Sequence, residues 1–163
     1  ASSDQVDITY EGTGSLMYQL ATSYWMPHQM PDPELPDPLT ITVGFGQTQL
    51  AVGDVTSVTA TVTNNTEKAL DMPMMSIGLP PGAAVISDAL EAAVLSGEIM
   101  KYELASQEII VYIDRLESGA SLTVKAEIRA ALAIEAQARP SEAYLYYSPE
   151  VGTVSPGVGF VVE

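Results

Sequence analysis

Apolar and polar positions alternate with a period of two through most of the chain, and the alternation recurs at short intervals. Leu39, Ile41, Val43 and Phe45 make one apolar stripe. Val58, Ala60 and Val62 make a second, interleaved with Ser57, Thr59, Thr61 and Thr63. Successive strand side chains point to opposite faces, so each stripe predicts a strand with one buried and one wet face. The longest case sets Leu122, Val124, Ala126, Ile128 and Ala130 against Thr123, Lys125, Glu127 and Arg129. A helix would scatter those charges around its cylinder, so sheet periodicity outweighs the helical propensity of the alanines. Further strands are expected near 72–79, 99–104, 109–114, 143–147 and 157–162. The segment from Gln49 to Asp54 reads as a turn, and Asn64-Asn65-Thr66 closes a strand.

One segment breaks this rhythm. Asp88 stands three residues before Glu91, which makes an Asp form of a capping box, Leu90 and Val94 share a helical face, and Gly97 can close a helix. About seven or eight strands with one inserted short helix predict an all-β fold. The expected architecture is a two-sheet antiparallel β-sandwich with the helix in a crossover.

The first part of the chain differs. Two β-like runs between Asp7 and Trp25 are split by Glu11-Gly12-Thr13-Gly14, and Leu16, Tyr18 and Leu20 alternate with Met17, Gln19 and Ala21, as in a hairpin. MPHQMPDPELPDP (26–38) then places five prolines in a row of polar residues. Proline removes a backbone donor and pushes its neighbour out of the helical region, so this is linker chemistry. The division expected is 1–37 as the tail of a preceding unit plus linker, and 38–163 as the sandwich. The opening Ala1-Ser2-Ser3 has neither a basic nor an apolar leader region, so the chain reads as a piece of a longer polypeptide.

Charge and composition narrow the function. Six Lys and Arg against 21 Asp and Glu leave a net charge of −15, a field that repels polyanions and argues against nucleic acid as a partner. Hydrophobic residues are 47% of the chain, yet no unbroken apolar run approaches the roughly 20 residues of a spanning helix, so direct membrane insertion is not expected. Without cysteine there is no thiolate nucleophile, disulfide framework or Cys-ligated metal.

No constellation supports catalysis. His28 is the single histidine and lies in the proline segment without local partners, so it reads as a solvated linker side chain. Asp32, Glu34 and Asp37 could offer oxygens to calcium, but the prolines between them resist the wrapping a calcium loop needs. Asp114 and Glu117 suit a strand end and its turn better than a glycosidase carboxylate pair. The serines lack a histidine base. Hence no catalytic residue, cofactor or metal is assigned, and the chain is not expected to be an enzyme. Asn64-Asn65-Thr66 satisfies a glycosylation sequon, although the same residues suit a turn. Tyr144, Tyr146 and Tyr147 fit either a contact surface or the rim of a core.

Read in order, several segments carry a resemblance: a strand ending in Gly78-Leu79-Pro80-Pro81-Gly82, the helix, Lys101-Tyr102-Glu103, the run Val111 to Leu116, and Tyr146-Tyr147. Together, stretches between residues 39 and 150 resemble the C-terminal receptor-binding domain of α-macroglobulins. YEGTGSLMYQLATSYWMP (10–27) is similar to the last strands of the CUB-like domain that precedes that module. The resemblance implies a non-catalytic recognition and packing domain of a protease trap, located outside the cell or in its envelope. Sister domains of the parent chain are the implied partners, with an unidentified protein receptor or the trapped protease as others. The family's covalent chemistry uses a Gly-Cys-Gly-Glu-Gln thioester, which this cysteine-free chain does not contain. In animal members two lysines four apart, on and just before the helix, dock onto acidic, calcium-bearing receptor modules. The matching positions here are Ser87 and Glu91, which removes the attraction and adds repulsion. The candidate recognition surface is therefore Ser87, Glu91, Lys101 and Tyr102, without the receptor-type lysines. The rival reading is a structural immunoglobulin-like cell-surface or adhesin module, which would be expected in tandem copies.

Overall fold

The computed structural model describes residues 9, 11–14 and 37–163, and the chain divides into two compact units, Ala1–Met30 and Pro31–Glu163. In the first unit residues 12–14 form a bend. The β-like runs on either side of it, His28, Asp32 and Glu34 lie outside the described residues.

In chain order the second unit contains β1 (Leu39–Phe45), β2 (Gln49–Leu50), β3 (Val55–Asn64), β4 (Leu70–Asp71), β5 (Pro73–Gly78), β6 (Ala83–Ile86) and α1 (Asp88–Leu95). It continues with β7 (Lys101–Ala105), β8 (Glu108–Tyr112), β9 (Arg115–Leu116), β10 (Ser121–Ala130), β11 (Ile134–Gln137), β12 (Ser141–Leu145), β13 (Ser148–Ser155) and β14 (Gly159–Val162). Two antiparallel sheets form the sandwich, one ordered β1-β3-β10-β6 and the other β13-β12-β5-β8-β7. The period-two stripes decide which faces meet. Ile41, Val58, Ala60, Val62, Val124, Ala126 and Ile128 come from the first sheet, and Met75, Ile77, Ile109, Val111 and Ala143 from the second; all are buried in one core. On the wet face of the first sheet hydroxyls pair across strands, Thr61 with Thr123 at 2.9 Å and Thr63 with Ser121 at 2.8 Å. Such cross-strand pairs hold the β3–β10 register that buries the apolar set.

The helix connects the last strand of one sheet to the edge strand of the other, as expected for a crossover. Eight residues are too few for a stable helix in isolation. Leu90, fully buried in the sandwich core, anchors it, a burial worth roughly 1.5–3 kcal/mol. Its C-terminus ends in the αL turn that Gly97 allows at φ +75°. The Gly97 N–H donates to the Val94 carbonyl and the Glu98 N–H to that of Ala93. The N-terminus differs from the expected capping box. The cap residue is Ser87, and its hydroxyl donates to Glu91 Oε1 at 2.8 Å rather than capping a backbone N–H. Asp88 is the first helical residue, so its charge, with that of Glu91, lies in the first turn and opposes the positive end of the helix dipole.

A second difference concerns Gln49 to Asp54. Only Ala51 to Asp54 turns, with the Ala51 N–H donating to Asp54 Oδ2 and the Asp54 N–H to the Ala51 carbonyl. Gln49 and Leu50 instead pair in parallel with Val161 and Val162, in a third sheet ordered β11-β14-β2. Leu50 is buried there with Ala130, Ala138, Phe160 and Val162 in a separate small core, and Phe45 meets Phe160 edge-on at 4.8 Å. A two-residue strand has no periodicity to read, and its pairing partner lies over a hundred positions away along the chain.

Candidate functional site

The four candidate recognition residues fall into two groups. Ser87, the cap before α1, and Glu91, on its exposed face, sit one helical turn apart and are bonded to each other. Their hydroxyl and carboxylate satisfy one another, so a partner would meet a closed acidic pair with no cation.

Lys101 and Tyr102 are neighbours on β7 and therefore point to opposite faces of the five-stranded sheet. Tyr102 turns inward and packs, half buried, against the sandwich core. Lys101 turns outward, its Nζ 2.7 Å from Glu103 Oε1 and 3.9 Å from the centre of the Tyr112 ring, which stands opposite it on β8. The ion pair lies half exposed in water, where solvent screens it, so its value is placement more than stability. The hydrogen bond to Glu103 raises the Lys101 ammonium above its ordinary pKa, and the same bond holds the Glu103 carboxyl below the usual carboxylate range. A folded pKa below the unfolded one gives stabilisation that is present above the unfolded value and lost as pH falls through the folded one. The Glu103 carboxyl is thus expected to titrate below a free glutamate in an NMR pH series, and to return toward the free value in Lys101→Ala. A Glu103 pKa unmoved by that substitution would rule the pair out.

The tyrosines divide between the two roles open to them. Tyr144 is partly buried on β12, and desolvation followed by the charge of Glu142 raises its phenol pKa. Tyr146 and Tyr147 form the exposed tip of the β12–β13 hairpin, 51% and 77% exposed, with rings edge-to-face at 5.0 Å. The tip is tied down by the Tyr146 N–H donating to the carbonyl of Met72, the one non-glycine residue with positive φ (+54°) among the described residues. Asp114 and Glu117 do not pair: Glu117 accepts from Arg115 Nε at 2.8 Å, and the Asp114 carbonyl accepts from the Met72 N–H. Among the described residues no group of three or more His, Cys, Asp or Glu could hold a metal ion.

Asn64 proved more than a turn residue. It is fully buried, and its Nδ2 donates to the carbonyls of Lys68, Leu116 and Glu117 at 2.7, 3.0 and 3.0 Å. Its Oδ1 accepts from the Thr66 N–H and hydroxyl. A side-chain amide enclosed by its own chain in this way is not available to carry a glycan.

A family model described as the A-macroglobulin receptor binding domain matches residues 68–155. Among solved structures, native alpha-2-macroglobulin from Escherichia coli, spanning domain MG7 to the C-terminus, aligns with a TM-score of 0.68 at 15% identity. That alignment covers 84% of this chain and 25% of the other. The cryo-EM reconstruction of the native E. coli protein gives 0.68 at 15% identity over 85% of this chain and 10% of that one. Salmonella alpha-2-macroglobulin reacted with methylamine gives 0.64 at 17% identity over 83% and 10%. At such identities the likeness is one of fold, and the chain spans a quarter or less of these macroglobulin chains. No curated protein matches it in sequence. The family match runs from β4 to β13 and takes in the helix, all five strands of the five-stranded sheet and the tyrosine hairpin, which is more than half of the chain; the chain belongs to the α-macroglobulin receptor-binding domain family.

Proposed function

We propose that this chain is a non-catalytic recognition and packing domain of an α-macroglobulin-like protease trap. The observation that carries the reading is the family match over residues 68–155. Much longer matched chains support contacts with sister domains as its first role. In this reading residues 1–37 are the tail of a CUB-like domain with its linker, residues 38–163 are the recognition module, and the parent protein works outside the cell or in its envelope. Ser87, Glu91, Lys101 and Tyr102 form the recognition surface. The Ser87–Glu91 pair presents a carboxylate where animal relatives present lysines, so acidic, calcium-bearing receptor modules are repelled and the partner is of another kind.

The test uses the intact parent protein. Adding a protease is expected to cut a bait segment, retain the protease in the gel-filtration peak, and change hydrogen exchange across residues 87–105. A protease that elutes free, with exchange over 87–105 unchanged, would sink the trap reading even though the family stands.

A further inference from the structure

Among the described residues β7 is an edge of the five-stranded sheet, and its pairing with β8 determines which of its backbone groups are open. The Leu79 N–H donates to the Gln107 carbonyl and the Ile113 N–H to that of Pro73, so the odd-numbered residues of β8 bond to β5. Its even residues therefore bond to β7, opposite Lys101, Glu103 and Ala105. Tyr102 and Leu104 turn their N–H and C=O groups away from the sheet. Lys101 and Glu103 stand on one face of this edge. Tyr102 and Leu104 stand on the other, Leu104 being 49% exposed; just before the strand the Met100 N–H donates inward to the Tyr112 carbonyl.

An exposed edge strand with open donors is a template for another strand. Charge usually blunts such an edge, but here the two charges are opposite, two residues apart and on one face, which makes the edge complementary to itself. We propose that β7 pairs antiparallel with β7 of a second copy of this chain, about a twofold axis at Tyr102, joining two five-stranded sheets into one. With Tyr102 opposite its own copy, the two exchange both open backbone bonds. Lys101 then faces Glu103 of the second copy, and Glu103 its Lys101, at the closely spaced non-hydrogen-bonded sites where Cα atoms approach to about 4.5 Å. A slip to the next allowed register would set Glu103 directly against Glu103 of the second copy, so like charge rejects it. The pairing is isologous and closed, which limits it to a dimer. It stands on the strand edge alone and goes beyond the trap reading.

Sedimentation of the 163-residue chain over a range of concentrations at physiological salt, where the net charges are screened, is the test. The expected result is a reversible monomer–dimer equilibrium. Lys101→Glu and Glu103→Lys should each weaken it by at least about tenfold, and the double variant should restore it. Since the chain lacks cysteine, Tyr102→Cys should form an intermolecular disulfide under mild oxidation, whereas Ala105→Cys, away from the axis, should not. A monomer at every concentration overturns the proposal. So does a dimer that is indifferent to the single reversals and does not cross-link through position 102.

Discussion

Asn64→Ala is expected to destabilise the domain by about 3–5 kcal/mol, the range of a broken buried network. Two amide protons serve three main-chain carbonyls, so one is shared, and the carbonyls come from the β3–β4 turn and, more than fifty residues on, from the end of β9 and the turn that follows it. Alanine takes this donor from the Leu116 carbonyl and from the Lys68 and Glu117 carbonyls, which keep the Thr66 hydroxyl and the Ala120 N–H, and it frees the Thr66 N–H as well. Asn64→Asp should be at least as costly at neutral pH, because a carboxylate would face three carbonyl oxygens. Its cost should ease at acid pH, since a neutral acid can donate again. The introduced group has a raised folded pKa, so whatever stability it contributes is present below the unfolded value and lost as pH rises through the folded one. Denaturant unfolding across pH measures both. A loss under about 1 kcal/mol in the alanine variant would show that the network is not what closes these turns.

Phe160→Ala carries the second large effect, again about 3–5 kcal/mol by the usual cost of emptying a buried aromatic site. Its size follows from how little else fills the small core. Phe160 is 2% exposed, and its buried neighbours there are Leu50, Ala130, Ala138 and Val162, two of them alanines that cannot collapse into the space. The edge-on contact with Phe45 is lost as well. Because this core is separate from the one between the sandwich sheets, the damage should be local. Hydrogen exchange of β14 and β11 should accelerate strongly while Val58 to Val62 and Ile109 to Val111 stay protected. Equal acceleration in both regions would mean that the two cores unfold as one unit, contrary to this expectation.

Much of the sandwich was legible because one-sided burial writes its period directly into a strand. β3 and β10, ten residues each, bury every second position. That constraint is strong enough to override the helical preference of three alanines. The short helix was legible from its apolar pair and its closing glycine, but its start was misplaced by one residue. Ser87 and Asp88 are both good cap types, and only the backbone geometry chooses between them. β6, β11 and β13 escaped notice because edge strands and short strands bury no regular stripe. The burial pattern of β13, mostly intermediate, has no alternation at all.

The candidate surface was legible only as residue types. Period two already separates Lys101 from Tyr102, but nothing local tells that Lys101 lies over Tyr112, or that β7 ends its sheet. Both facts depend on which strand lies beside which. Nor does the Asn-Asn-Thr triplet reveal that its first amide is enclosed by a turn from a distant part of the chain.

What the sequence determined by itself is the all-β class, the inward face of each long strand, the place of the helix and the family, since each rests on local pattern or on motif order. Tertiary structure alone decided the strand order, the parallel pairing of Gln49 and Leu50 with Val161 and Val162, the burial of Asn64 and the open edge at β7. These rest on contacts between residues far apart in the chain. Period and propensity describe one segment at a time, whereas pairing and burial are properties of two segments at once.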